Sequence, residues 1–411
     1  MLQRIAIIGA GPAGLFAAET LATAGLPVTV YERMPRVARK LLLAGRGGLN
    51  LTHSEPLDRF LTRYRPLAPQ LRAAISAFPP DALRAWCEDL GQETFVGTSG
   101  RVFPRTMKTS PLLRAWLERL ARLGVEIETS HLWTGWDGSK LRFETPQGAI
   151  CVTPRATILA AGGASWPRLG SDGTWTAAVA CDGVAVTPLA PSNCGVEIAW
   201  SEIFRTRFAG QPLKRIGVTA GSETVRGEAM ITGDGLEGGA IYAASAPIRE
   251  QIAAHGAAAI RIDLRPDETE AAITARLQRP RGKQSLATYL RKALSLDPQA
   301  VGLLQEAAFA AGTPLAAQTP EALAAAVKSV TVTATGLAPI ARAISTAGGV
   351  RFDEVDEAFM LRRRPGVFVA GEMLDWDAPT GGYLLQACFA TGRAAALGVT
   401  AYLATEAAAR P

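Results

Sequence analysis

With 411 residues, the chain is too long for one simple core and suits two or three domains. Hydrophobic residues make up 48% and charged residues 19%, which excludes a disordered chain and fits a folded globular one. The formal net charge of +6 is a mild basic tilt: it suits a dinucleotide, an acidic small molecule or RNA, but no stretch has the long Lys/Arg run of a nucleic-acid arm.

The chain enters a strand pattern almost at once, with no basic, then apolar, then cleavable leader expected. Residues 4–8, Arg-Ile-Ala-Ile-Ile, read as a strand apolar on both faces, as a central parallel strand is. Gly9-Ala-Gly-Pro-Ala-Gly14 follows and opens an alanine-rich helix from about Ala13 to Ala24. Gly25 stops that helix, and a second strand from Pro27 to Tyr31 leads to Glu32. Gly9 turns the chain out of the strand and Gly11 leaves room for a pyrophosphate. Gly14 lets the helix sit against the sheet, with Pro12 and Ala13 in its first turn. The amide end of the helix favours phosphate, and the Glu32 carboxylate suits the ribose hydroxyls of an adenosine. The glycine pattern alone is weak; strand before, helix after and acid at the end make it a dinucleotide site. Glu32 disfavours a ribose phosphate, and Arg33 beside it is a further candidate contact that keeps that point open.

Arg101, Arg105 and Lys108 surround Phe103-Pro104 ahead of a helix from Leu112 to Leu123; such a loop suits solvent or an anionic substrate equally. A strand from Ala156 to Ala160 runs into Ala161-Gly162-Gly163, small residues that let cofactor and backbone approach. From about Cys194 to Asp263 the chain reads as short strands with glycine turns, and from Glu268 to Lys328 as helices punctuated by Pro280, Pro298 and Pro314. Gly233-Asp-Gly-Leu-Glu-Gly238 repeats the dinucleotide spacing. Its upstream segment is short and polar at Glu228, and no second βαβ unit follows, so it reads as a loop between strands. The end of the chain holds a strand from Gly366 to Ala370, then Gly371-Glu372. The turn Thr380-Gly381-Gly382-Tyr383 then opens a helix from about Leu384 to Gly398. No window of about 18 purely apolar residues occurs, so no membrane span is expected.

A nucleotide-binding sheet that draws on both chain ends is frequent in FAD enzymes and rare in plain NAD dehydrogenases. In two-dinucleotide-fold flavoproteins a late strand ends on an acid that holds the ribityl chain, here Glu372, and the next helix start faces the flavin. FAD is therefore the expected cofactor. The five cysteines, Cys87, Cys151, Cys181, Cys194 and Cys388, are scattered and form no Cys-x-x-Cys pair, which argues against a disulfide reductase and fits a reducing cytoplasm. With three histidines (His53, His131, His255), no metal site is expected. His53 reads as a structural hydrogen-bonding residue or as an acid or base near the flavin. No acid–base pair or nucleophile motif stands out as catalytic.

The segment Lys40-Leu-Leu-Leu-Ala-Gly-Arg-Gly-Gly-Leu-Asn-Leu-Thr52 resembles the signature of the YhiN/BaiN-like (aminoacetone oxidase-like) FAD-binding flavoproteins. Further matches run through Gly100-Arg-Val-Phe-Pro104, Ala160-Ala-Gly-Gly-Ala-Ser-Trp-Pro167, Gly371-Glu-Met-Leu-Asp375 and Gly381-Gly-Tyr-Leu-Leu-Gln386. The resemblance implies an α/β fold: a Rossmann-like FAD-binding domain of the two-dinucleotide-binding-fold type, with inserted β-rich and small helical domains. The FAD domain would take residues 1–190 and 346–411, the β-rich part 191–266 with 327–345, and the helical part 267–326. It further implies that the loop Gly45 to Asn50 wraps pyrophosphate and flavin edge, with Lys40, Arg46, Gly47, Gly48 and Asn50 as contacts. Two departures fall where substrate would approach: Leu49 stands where many relatives have Cys, and Thr232-Gly-Asp-Gly-Leu-Glu-Gly-Gly-Ala240 replaces a Thr-His loop. The implied activity is flavin-mediated hydride transfer on a small-molecule substrate, with NAD(P)H as a transient partner. The alternatives are reduction of uridine to dihydrouridine in ribosomal RNA and a non-catalytic flavin sensor.

Overall fold

The computed structural model describes residues 3–409. The chain separates into two compact units, one built from the chain up to Ala190 and again from Ser345 onward, the other from Pro191–Ile344.

The first unit centres on a parallel sheet. Its strands are β1 (Ile5–Ile8), β2 (Val28–Glu32), β3 (Glu126–Thr129), β4 (Thr157–Leu159) and β5 (Val367–Val369), arranged β5-β4-β1-β2-β3. Ile7 lies opposite Val30 on one side and Ile158 on the other, and Ile158 opposite Phe368. Every residue of β1, β4 and β5 is buried. Burial on both faces is why these runs are continuously apolar instead of alternating.

Helix α1 (Pro12–Thr23) follows β1, and α2 (Arg39–Ala44) and α3 (Thr109–Arg122) come later in the chain. Phe16 of α1 sits in an aromatic nest with Trp86 at 5.4 Å, Trp116 at 6.4 Å and Phe389 at 5.1 Å. Glu19, also on α1, is buried but matched, accepting from Trp86 Nε1 at 3.1 Å and pairing with Arg119 at 3.1 Å. The last helix, α4 (Tyr383–Ala409), runs beyond the stop expected at Gly398. Gly398 does not end it because a Cβ there would lie 2.5 Å from Ala358 O; glycine is a packing residue here, and the alanine-rich continuation is strongly helix-forming. By length and composition α4 is, among the described residues, the one helix apolar enough to cross a membrane; 56% of its most apolar window is buried within the protein.

Further elements of this unit lie outside the nucleotide-binding motifs. Helices Pro69–Ala77 and Pro80–Asp89 cover α4, and an antiparallel sheet is formed by Leu132–Asp137, Lys140–Thr145 and Gly148–Val152. Four of the five residues in the last of these strands are exposed, so it carries no inward stripe to read.

The second unit holds a seven-stranded sheet. Its order is Val330–Ala334, Ala258–Asp263, Pro212–Ala220, Glu223–Ile231, Gly235–Glu237, Val196–Glu197 and Gly336–Leu337. Strands and helices share one hydrophobic core, in which Leu290, Leu303 and Ala324 from the helices meet Ile260, Ile262 and Val332 from the sheet. The parts expected to be separately β-rich and helical thus pack as one body. The region expected as strands also carries helices at Glu202–Phe208 and Ser245–His255; the first is started by Ser201, whose side chain accepts from Phe204 N at 3.2 Å. Gly233 and Asp234 form a turn between strands, closed by Thr232 N donating to Gly235 O at 2.9 Å.

Helices α1 and α4 approach closely at Gly392, where a Cβ would stand 2.3 Å from Ala13 O. Gly392→Val is expected to destabilise this unit by about 3 kcal/mol, through overpacking that two backbones cannot relieve; the midpoint of urea unfolding measures it.

Candidate cofactor-binding site

Backbone geometry builds the site before any side chain does. Gly9 has φ +105°, and a Cβ there would lie 2.3 Å from Ala160 O. At Gly14 a Cβ would meet Gly9 O at 1.9 Å, so both positions require glycine for close packing of α1 on the sheet. At Gly11 an added Cβ meets nothing within 4 Å: it would project into open space at the start of α1. No side chain caps this helix and no acid lies in its first turn, while Pro12 occupies a position whose N–H would have no helical partner. The amide end of α1 is therefore left for an anion.

Gly9, Gly11, Pro12, Ala13, Glu32 and Lys40 line one cleft of about 640 Å³ together with Ala161, Gly162, Gly371 and Glu372. Glu32 is buried; its two oxygens accept from Ala10 N and Met34 N, both at 2.9 Å. Burial pushes its carboxyl above the ordinary range, more strongly than these two bonds and the nearby Arg33 and Arg39 pull it down. Lys40 Nζ donates to Glu372 at 2.8 Å and to Ser165 Oγ at 2.6 Å. Glu372 also accepts from Thr346 N at 2.9 Å and Gly163 N at 3.2 Å. Arg33 is bound to Asp172 at 2.5 Å. It lines a second pocket with Glu32, Tyr31, His131, Trp133 and Trp175, and its charge is already met there.

The remaining sequence candidates lie apart from this cleft. Arg46 is exposed and lines a neighbouring pocket. Gly47 ends a short 3₁₀ turn, and Gly48 follows with φ +113°. Asn50 Oδ1 is buried without a partner. Leu49 is fully buried and brings no reactive group. Gly381 and Gly382 have φ +133° and +99°, and a Cβ on Gly382 would lie 2.4 Å from Thr52 Cα. Tyr383 is buried and turns its hydroxyl to Glu55, at 2.5 Å, while Arg63 holds the same carboxylate at 2.8 Å. His53 makes local contacts: Nδ1 accepts from Glu55 N at 3.1 Å, Nε2 donates to Ser99 O at 3.0 Å, and the ring stacks on Tyr383. In the basic loop, Arg105 pairs with Glu93 at 2.8 Å, and both are exposed.

The cleft also contains residues that the motifs do not single out. Arg36 and Arg39 follow Glu32 in the chain, and Leu169, Gly170, Ser171 and Cys388 arrive from elsewhere. The arginines had a signal, their closeness in the chain to Glu32; Ser171 and Cys388 had none. Burial raises the Cys388 thiol to about 12, which keeps it protonated at neutral pH.

These features fit FAD. Gly11 leaves an open approach to uncapped amides, and Glu32 offers a buried carboxylate. Ser171 Oγ is a buried polar atom on the cleft wall without a partner in the protein. Fold and cleft together define a Rossmann-type FAD-dependent oxidoreductase. The chain belongs to the HI0933-like Rossmann-domain family, whose profile matches residues 3–398. It is 26% identical over 403 residues to the 3-dehydro-bile acid delta(4,6)-reductase of Clostridium scindens, covering 95% of this chain and 97% of the relative. It is 23% identical over 402 residues to the ribosomal RNA dihydrouridine synthase of Haemophilus influenzae, covering 96% and 98%. Among solved structures, the open conformation of a flavocytochrome c3 fumarate reductase shares the fold with TM-score 0.52 and 14% identity, over 97% of this chain and 78% of that one.

The Glu55 cluster gives a pH prediction. Burial alone would raise this carboxyl, but the Arg63 and Tyr383 bonds outweigh it and hold it below its ordinary value of 4.5. Its stabilising contribution is thus complete above that value and is lost as acid protonates the folded protein. Tyr383→Phe should cost about 2 kcal/mol of stability at neutral pH, and Glu55→Gln should flatten the acid limb of stability against pH; both are read by denaturant melts from pH 3 to 7.

Proposed function

We propose that the cleft holds FAD with its adenosine ribose on Glu32, its pyrophosphate on the amide end of α1 at Gly11, Pro12 and Ala13, and its ribityl chain along Ala161, Gly162, Gly371 and Glu372. The loop Gly45 to Asn50 and the turn at Gly381, Gly382 and Tyr383 lie on the flavin side of this assignment, with Tyr383 contributing through its backbone. The enzyme then reduces a small organic substrate, with a nicotinamide dinucleotide as a transient electron donor in a reducing, cytoplasmic setting. The observation that carries the reading is the pairing of an uncapped, unblocked helix start with a buried carboxylate at the end of the adjacent strand.

When bound, the flavin supplies the hydride chemistry. The chain contributes position and charge. The end of α1 meets phosphate charge, Glu32 fixes the sugar, and the Lys40–Glu372 pair anchors the wall between them. Cys388 stays a neutral thiol and supplies no nucleophile.

A second reading, reduction of uridine in ribosomal RNA, is favoured by the name of the Haemophilus relative. Against it, the densest basic cluster is largely spent inside the protein: Arg363 pairs with Glu354 at 3.1 Å and Arg364 with Asp182 at 2.9 Å. Retention on RNA at moderate salt, with dihydrouridine lost in a deletion strain, would establish that alternative.

Purified protein should be yellow and release FAD on denaturation; a colourless protein that takes up no added flavin would end the proposal. Gly11→Val should keep the wild-type melting temperature of the apoprotein, because its side chain enters open space, yet lose FAD from the visible spectrum. FAD binding should release a proton from Glu32, since ribose donors favour the carboxylate. Affinity should therefore be full above the raised value of this carboxyl and fall as pH drops through it. Glu32→Gln should weaken FAD binding by about tenfold to a hundredfold and remove that pH dependence, measured by fluorescence titration.

A further inference from the structure

The small antiparallel sheet of the first unit has an open edge. Gly148–Val152 pairs with Lys140–Thr145 on one side, and among the described residues no strand pairs its other side. Edge strands are ordinarily blunted by a charge, a proline or a bulge. This one, Gly-Ala-Ile-Cys-Val, holds no charge and no proline, and its register with Lys140–Thr145 runs without a shift. Ala149, Ile150 and Cys151 are exposed, and none of them lines the cofactor cleft or the pocket beside it.

The register fixes which backbone groups are left over. Thr145 lies opposite Gly148 across the two-residue turn Pro146-Gln147, so this closing pair is a hydrogen-bonded one. Bonded pairs then recur at every second residue, at Phe143 with Ile150 and Leu141 with Val152. The N–H and C=O groups of Ala149 and Cys151 therefore point away from the sheet, ready for another strand.

The side chains indicate which strand fits. A second copy of the same edge, brought up antiparallel about a twofold axis, offers its own Ala149 and Cys151 groups in return. Three registers join these outward groups to one another. On the solvent face, Glu144 lies beside Ala149 and Arg142 beside Cys151, all four exposed. Centring the axis on Ala149 would align Glu144 with its own counterpart, and centring it on Cys151 would align Arg142 with its counterpart; both put like charges in one row. Centring it on Ile150 sets Ala149 opposite Cys151, so each row runs from Glu144 of one copy to Arg142 of the other. On the opposite face, Ile150 continues the row of Trp133 and Phe143; those two are buried, while Ile150 is 37% exposed. The same register lays Ile150 against its counterpart and carries that apolar row through the axis.

We propose that the Gly148–Val152 edge is a self-association site, where two copies pair antiparallel with Ile150 on the twofold axis. So short an edge buries less than the roughly 1,200 Å² of a stable interface, so the dimer is weak, with Kd on the order of 10–100 µM.

Sedimentation velocity of the full chain from about 1 to 300 µM reads it, and the mass is expected to pass from monomer towards dimer over that range. Cys151→Pro removes an outward donor without touching a bond inside the sheet, and Ile150→Lys puts two like charges on the axis. Each should keep the wild-type melting temperature and weaken the dimer by about tenfold or more. Crosslinking reads the register. Across a non-hydrogen-bonded pair the Cα atoms stand about 4.5 Å apart, within disulfide reach, whereas Ala149 is offset from its counterpart by two residues. In a background of Cys151→Ser with Cys181→Ser, Ile150→Cys should yield a disulfide-linked dimer under mild oxidation and Ala149→Cys should not. Protein that stays monomeric over the whole range overturns the inference, as does a dimer that both Cys151→Pro and Ile150→Lys leave unchanged. Crosslinking at position 149 as readily as at 150 overturns the register. If Cys151→Pro lowers the melting temperature, Ile150→Lys and the crosslinks decide.

Discussion

Lys40 and Glu372 lie 332 residues apart in the chain and meet on the wall of the cofactor cleft. Around them gather Ser165 Oγ, Gly163 N and Thr346 N, so four separate stretches of chain converge on one carboxylate and one ammonium. A partly buried ion pair of this kind adds little net stability, because desolvation offsets most of the Coulomb gain. Its effect is on position: displacing either partner leaves the other charge without its match in a poorly hydrated place. The late strand β5 and the early helix α2 are thereby held to one geometry, and the cleft between them has a fixed width.

With that frame set, the cofactor site divides its work between backbone and side chain. Gly9 and Gly14 bring α1 against the sheet, and the helix end then needs no basic residue to receive phosphate. In the proposed assignment one carboxylate, Glu32, takes the sugar. Such a site recognises the part of a dinucleotide that never reacts. It is therefore consistent with relatives of the same length that are named for a bile acid in one case and a ribosomal RNA in the other.

The cradle was also the most legible part of the sequence. Strand, glycine turn, helix and terminal acid are contiguous between Ile5 and Glu32, and each step has a local steric or electrostatic cause. The parallel sheet was readable for the same reason, since buried strands are unbroken apolar runs. Pairings between distant residues were not readable. Nothing local shows that Lys40 and Glu372 bind each other, that Arg33 is neutralised by Asp172, or that Tyr383 turns away to Glu55. Exposed strands such as Gly148–Val152 have no pattern to detect, and Gly398 looks like a helix stop until its contact with Ala358 is seen. Ser171 enters the cleft only through tertiary folding.

The chain order of the two units bears on how the protein is made. The unit from Pro191 to Ile344 is continuous, whereas its neighbour also needs the segment from Ser345 onward, including β5 and α4. A ribosome delivering about ten residues per second exposes the amide end of α1 well before Glu372 or the partner helix exists. During that interval the aromatic nest around Phe16 lacks Phe389, and the inserted unit can complete its own core first. On the assignment proposed above, the fingerprint motif is therefore made long before the Glu372 wall that completes its cleft.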